Sequence, residues 1–166
     1  MPHIPSLVTL QAAYPGNDYS AESVAHLIGG KVLSNFSDPK YKAYKNTCAI
    51  RVSRALNYGG DPISYAGGGI SNPHMADQKV RTDKGGDGKW YIYSVYDMRA
   101  YLSGRYKHPK RFAGTARPDQ LAGAKGIIAF GFWHVDIWDG TTCSYHNEGF
   151  GNAAVGTENI VVWETS

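Results

Sequence analysis

The spacing of apolar positions changes along the chain. The first half carries helix-like stretches and the last third alternates like strands. Residues 20–28, Ser-Ala-Glu-Ser-Val-Ala-His-Leu-Ile, predict a helix, with Ser20 as its cap and Gly29-Gly30 as its stop. Residues 47–56 predict a second helix, with Ala49, Val52 and Leu56 on one face and Asn46 or Thr47 as cap. Residues 59–89 hold eight Gly and two Pro and read as one long loop, either a cleft wall or a linker. Residues 90–95 predict a strand. Asp97 then caps a short helix that ends near Gly104, and a basic loop carries Arg105, Lys107, Lys110 and Arg111. Residues 126–130 and 133–138 predict two strands, and Asp139-Gly140 is a hairpin turn signal of type I′. Residues 143–146 and 160–163 predict two more. Helices first and antiparallel strands later give an α+β fold.

Length and composition narrow the reading. The 166 residues make a single domain, residues 1–166. The net charge of +3 is too mild for a nucleic-acid groove. The longest apolar run, residues 126–133, falls far short of the ~20 residues that span a bilayer, so no membrane span is expected. Residues 1–30 contain no Lys or Arg, and no secretory signal with a basic start is expected. Synthesis in the cytoplasm and some other route of export follow as expectations. Two cysteines, Cys48 and Cys143, are too few for a disulfide framework. A bridge between them and a free reactive thiol both stay open. No spacing marks a cofactor or a metal site.

Cys48 is the sharpest candidate. It falls in the first turn of a predicted helix, where unpaired N–H groups and the helix dipole favour a thiolate. A thiolate is the nucleophile of acyl transfer, while a small buried hydrophobe is the structural alternative. His134 is the natural base, on a strand whose other same-face residues are Asp136 and Trp138. A third group must orient the imidazole. His146, twelve positions after His134 and past the turn, is expected beside His134 in an antiparallel pair, accepting from its ring N–H. Asp136 is second choice, read as lying alongside the histidine on the substrate side. A metal site of His134, Asp136, Cys143 and His146 is disfavoured, because it leaves Cys48 unexplained. Arg51 and Arg54 read as solvated helix charges. His3, His26, His74 and His108 draw no functional reading.

Several of these segments together resemble one family. Residues 46–57, Asn-Thr-Cys-Ala-Ile-Arg-Val-Ser-Arg-Ala-Leu-Asn, resemble the nucleophile helix of the type VI secretion amidase effectors, family 4. Residues 89–98 resemble that family's central strand and helix start. Lys125-Gly-Ile-Ile, His134-Val-Asp-Ile-Trp-Asp-Gly140 and Cys143-Ser144 resemble its histidine hairpin. The resemblance implies a papain-like fold of the NlpC type, with a nucleophile helix on an antiparallel sheet. It implies a cysteine amidase that cuts the γ-D-glutamyl–meso-diaminopimelate bond of peptidoglycan stem peptides. It also implies delivery into a neighbour's periplasm by a contractile secretion apparatus, and a cognate immunity protein. Cys48 takes the nucleophile's place and His134 the base's. The family's acid directly after Cys-Ser is Tyr145 here, and the second Cys of its local disulfide is missing near Asn147. His146, or else Asp136, is expected to stand in for that acid. A non-catalytic wall-binding module and a papain-like enzyme on protein amides are the competing readings.

Overall fold

The computed structural model describes residues 2–76, 78–156 and 158–166. Its helices are α1 (Leu7–Ala13), α2 (Ala21–Ile28), α3 (Gly30–Ser37), α4 (Cys48–Gly59), α5 (Ala66–Gly69) and α6 (Val95–Tyr106). Strands β1 (Asp83–Lys84) and β2 (Trp90–Tyr91) form a small ribbon. Strands β3 (Lys110–Phe112), β4 (Gly126–Phe130), β5 (His134–Trp138) and β6 (Ile160–Glu164) form the main sheet. Its order is β3-β6-β4-β5, antiparallel throughout. The α+β expectation holds.

Helix α4 organises the molecule. Its long apolar stripe packs Ala49, Val52 and Leu56 into the core with Ile127, Ala129, Val135 and Ile137 of the sheet. Helix α1 lies against α4 and buries Leu10 there. Burying such a side chain contributes about 1.5–3 kcal/mol. On the sheet's alternate positions, Ile128, Phe130, Trp138 and Val162 form a second cluster with Cys143 and Val155. Strand β5 is therefore covered on both faces, and all five of its residues are buried. A third cluster joins α2 and α3 to Ile50 and Tyr91.

Several boundaries differ from the sequence reading, each for a physical reason. Gly29-Gly30 ends α2 but also starts α3. Gly30 has φ 59°, and a Cβ there would stand 2.5 Å from the Gly86 nitrogen. The backbone of Gly85-Gly86 packs against this corner, and the Gly86 N–H donates to the Ile28 carbonyl at 2.9 Å. Residues 90–95 form a strand only over β2. Ser53 of α4 accepts from the Ile92 N–H at 2.9 Å and donates to its carbonyl at 3.0 Å, so a helix side chain takes the ladder's place. Asp97 is not the cap of α6. Ser94 is, accepting from the Asp97 N–H at 3.1 Å. The fully buried Asp97 carboxylate instead anchors the glycine-rich segment, through Asn72 Nδ2 at 2.9 Å and Arg81 Nε at 2.9 Å. The basic loop is partly ordered structure, since α6 runs to Tyr106 and residues 110–112 are β3. In the hairpin turn, Gly140 has positive φ and Asp139 does not, which excludes type I′. Asp139 Oδ1 accepts from the Thr141 and Thr142 N–H groups, each at 2.8 Å.

Candidate active site

Cys48 is the first residue of α4, and His134 is the first residue of β5. Thr47 occupies the N-cap position without capping, because its hydroxyl accepts from Arg51 Nε at 3.0 Å. Asn46 does that work. Its Oδ1 accepts from the Cys48 N–H at 3.2 Å, and its Nδ2 reaches the Trp133 carbonyl at 3.5 Å. The helix start carries no acidic residue in its first turn. Cys48 opens on a small cleft of about 160 Å³ walled by Asn46, Tyr93, Ser94, Val95 and Phe132.

The His134 ring is buried and has two polar neighbours. Its Nε2 lies 2.8 Å from Oδ2 of Asp136. Cys48 is the other, and Nδ1 is the ring nitrogen left to face it. Burial opposes the charged imidazolium. The Asp136 hydrogen bond and the Cys48 side chain outweigh it and raise the ring to about 9. Asp136 is fully buried and so does not lie on the substrate side, contrary to the sequence reading. Its carboxylate also accepts from the Ile137 N–H at 2.8 Å, the Tyr145 N–H at 3.1 Å and the His146 N–H at 3.3 Å. These last two donors would otherwise have entered a ladder with β5. That is why residues 143–146 form no strand beyond the single bridge of Cys143 to Trp138.

His146 comes to the site in a different way than its spacing suggests. Its ring stacks on His134, with centroids 4.1 Å apart and planes 18° from parallel. A stacked ring cannot accept from the edge of its neighbour, and His146 Nδ1 instead accepts from the Glu148 N–H at 3.3 Å. Burial, and then the positive charge of His134, hold His146 below the usual imidazole range. The structure thus joins Cys48, His134 and Asp136 in one chain of contacts and sets His146 over its face.

Two further residues were invisible in the sequence. Arg51 is fully buried rather than solvated. Its guanidinium donates to the carbonyls of Pro15 and Gly16 at 2.8 Å and of Tyr19 at 2.7 Å. It also lies 4.0 Å from the centre of the Tyr145 ring. Tyr145 stands where the family resemblance implies an acid, and Arg51 fixes its ring while its N–H serves Asp136. Tyr14, just after α1, buries its hydroxyl without a hydrogen-bond partner among the described residues. Burial, and then the negative charges of Asp136 and Cys48, push that phenol well above its ordinary range. Neither role carries a local signal, because the partners are distant in sequence. Both cysteines are free. No group of three metal-ligating side chains forms a site among the described residues.

A model of the family described as "Type VI secretion system (T6SS), amidase effector protein 4", Tae4, matches residues 44–163. The chain is similar to the solved Tae4 of Enterobacter cloacae, at 31% identity and TM-score 0.75, covering 100% of both chains. It is similar to the Tae4–Tai4 effector–immunity complex of that organism, at 30% identity and TM-score 0.76, covering 98% of this chain and 99% of that one. It is also similar to the Salmonella typhimurium Tae4 solved with the Enterobacter cloacae immunity protein Tai4. That match has 27% identity and TM-score 0.76, again covering 98% and 99%. No curated protein matches the chain in sequence. The fold is the papain-like NlpC/P60 type of these neighbours.

Proposed function

The chain belongs to the type VI secretion system amidase effector family 4, and from that premise we propose that it hydrolyses peptidoglycan stem peptides by cysteine catalysis. The bond is the γ-D-glutamyl–meso-diaminopimelate amide that the family resemblance implies. One observation carries the chemistry: a cysteine at a helix start faces a buried histidine whose far nitrogen is held by a buried carboxylate.

Cys48, as thiolate, attacks the amide carbonyl from the cleft. The Cys48 N–H, now held by Asn46 Oδ1, turns to the oxyanion as the carbonyl oxygen takes the place of the amide oxygen. His134 then protonates the departing amine, which frees one peptide fragment and leaves an acyl-enzyme. The neutral imidazole next takes a proton from water, and the hydroxide adds to the thioester, releasing the acyl group as a carboxylic acid and returning Cys48 as thiolate beside the protonated ring. Asp136 keeps the ring oriented and stabilises its charge. It touches neither substrate nor thiol and acts as a positioning residue.

The biological setting follows from the family. The producer makes the protein in its cytoplasm, and the secretion apparatus carries it to a recipient's periplasm. No helix among the described residues is long and apolar enough to cross a membrane. A cognate immunity protein is the expected partner, since two of the neighbours above were solved with Tai4. The test is muropeptide analysis of purified sacculi treated with wild type and with Cys48→Ala. Wild type should release peptides cut at the γ-D-glutamyl bond, and the variant should release none. Undiminished release by Cys48→Ala would overturn the mechanism.

A further inference from the structure

Two arginines are buried among the described residues, and the fold treats them differently. Arg51 spends its guanidinium on three backbone carbonyls and Thr47. Arg99, on α6, is only 9% exposed and donates one hydrogen bond, from Nη1 to the Gly131 carbonyl. Its guanidinium lies 4.3 Å from the centre of the Phe132 ring. Among the described residues no carboxylate stands within ion-pair distance of it. A guanidinium has five N–H donors, so most of these have no protein partner. A buried charge is costly unless it is paired. Burial, and then the charge of Arg111, work against the protonated form, with Glu158 in its favour.

The unspent donors are accessible to a ligand. Arg99 lines a groove of about 530 Å³ together with Arg111, Ser71, Asn159, Glu158 and Phe132. Phe132 is also a wall of the cleft that holds Cys48, so the two depressions meet at one side chain. We propose that this groove is a subsite for a carboxylate of the peptide whose amide lies over Cys48, with Arg99 as its fork and Arg111 as a second cation. The assignment rests on the amidase reading above. A carboxylate matches the planar guanidinium with two parallel hydrogen bonds. Glu158 on the same groove limits its net positive charge, which suits a single carboxylate better than a phosphate polyanion.

A stem peptide offers several carboxylates, on its side chains and at its C-terminus, and the test separates them. Cys48→Ala protein, which does not turn substrate over, is titrated by calorimetry with a stem tetrapeptide. The free acid is compared with forms amidated at one carboxylate at a time. Arg99→Met, added to that background, should weaken the free acid about tenfold. One amidated form should lose as much against intact Arg99 and lose nothing further against Arg99→Met, and that form identifies the carboxylate. Arg111→Gln, on an exposed position of β3, should shift binding in the same direction and carries the comparison if Arg99→Met does not fold. Equal weakening of every peptide by Arg99→Met would mean that Arg99 only holds the Phe132 turn, and would overturn the subsite. So would indifference to amidation, or no measurable binding of the free acid. Hydrolysis of the same peptides by protein with Cys48 intact reports on the other reading. A peptide bound through Arg99 but never cleaved sinks the amidase and keeps the subsite. Cleavage indifferent to amidation keeps the amidase and sinks the subsite.

Discussion

Nε2 of His134 and Oδ2 of Asp136 lie 2.8 Å apart, though the two residues are separated by a single position on one strand. A strand places such residues side by side on one face, and here the ring turns back along the strand to meet the carboxylate. Two backbone N–H groups from residues 145 and 146 hold that carboxylate in place. Asp136→Asn keeps the shape but removes the charge and offers the ring the wrong partner. We expect it to lower kcat by roughly a hundredfold or more while the protein stays folded. His146→Ala removes only a stacked ring and should leave kcat within a few-fold. Steady-state hydrolysis of a stem peptide by the two variants checks this, and the opposite ranking would return the third role to His146.

The raised affinity of His134 for its proton makes stability depend on pH. The ring's ordinary value is 6.5 and its folded value is about 9, with burial opposing the shift and Asp136 and Cys48 producing it. The folded state therefore holds this proton more tightly than the unfolded chain. The stabilisation is fully present below about pH 6.5 and is lost as pH rises through about 9. Its size is of order 3 kcal/mol. Urea denaturation of wild type at pH 6 and pH 10 should show a loss of that order, on a background set by other groups. His134→Gln should show a shallower decline over the same window. In the same range kcat/KM should fall with an apparent pKa near 9, because the departing amine loses its acid.

Arg51 ties three parts of the chain together. Its guanidinium holds the carbonyls of residues 15, 16 and 19, stacks on Tyr145, and springs from the helix that begins with Cys48. Arg51→Met leaves those carbonyls with no donor and frees the Tyr145 ring. We expect a loss of about 3–5 kcal/mol by chemical denaturation. Arg51→Lys should recover only part of it, because an ammonium cannot reproduce the planar fork. Near-complete rescue by Lys would show that charge alone matters at this position.

The parts of the fold that were legible in the sequence are those whose partners are local. Helix α4 announced itself through Ala49, Val52 and Leu56, and β5 through the alternation of Val135 and Ile137 against His134, Asp136 and Trp138. Helix α1 did not, because Leu10 is its one buried residue and no stripe forms. Helix α3 was hidden by Gly29-Gly30, which carry a stop signal whether or not a new helix follows. Its start depends on the backbone of residues 84–86 packing on Gly30, a long-range contact. The pairing of Cys48 with His134 was legible because each residue type sat on the element its chemistry needs. The contact of Asp136 with His134 was not, since spacing fixes a face and says nothing of the rotamer that turns one side chain toward another. Arg51 looked solvated because its acceptors are carbonyls, which leave no mark in a sequence.

The two cysteines should part company under a thiol reagent. Cys143 is buried behind the sheet with Trp138 and Phe130, and its N–H is held by Asn147 Oδ1 at 2.7 Å. Burial, and then the negative charges of Asp136 and Asp139, push its thiol far above the ordinary range. It should be inert. Cys48 lines the cleft beside His134, where an alkylating reagent can reach it and the imidazole stands ready to take its proton. Iodoacetamide at neutral pH should therefore label the native protein once, and peptide mapping should place the label on Cys48. Labelling should abolish hydrolysis, and Cys143→Ala should remain active, at a stability cost of up to a few kcal/mol from the cavity it leaves. Label found first on Cys143, or activity retained after full modification of Cys48, would separate the reactive thiol from the reaction.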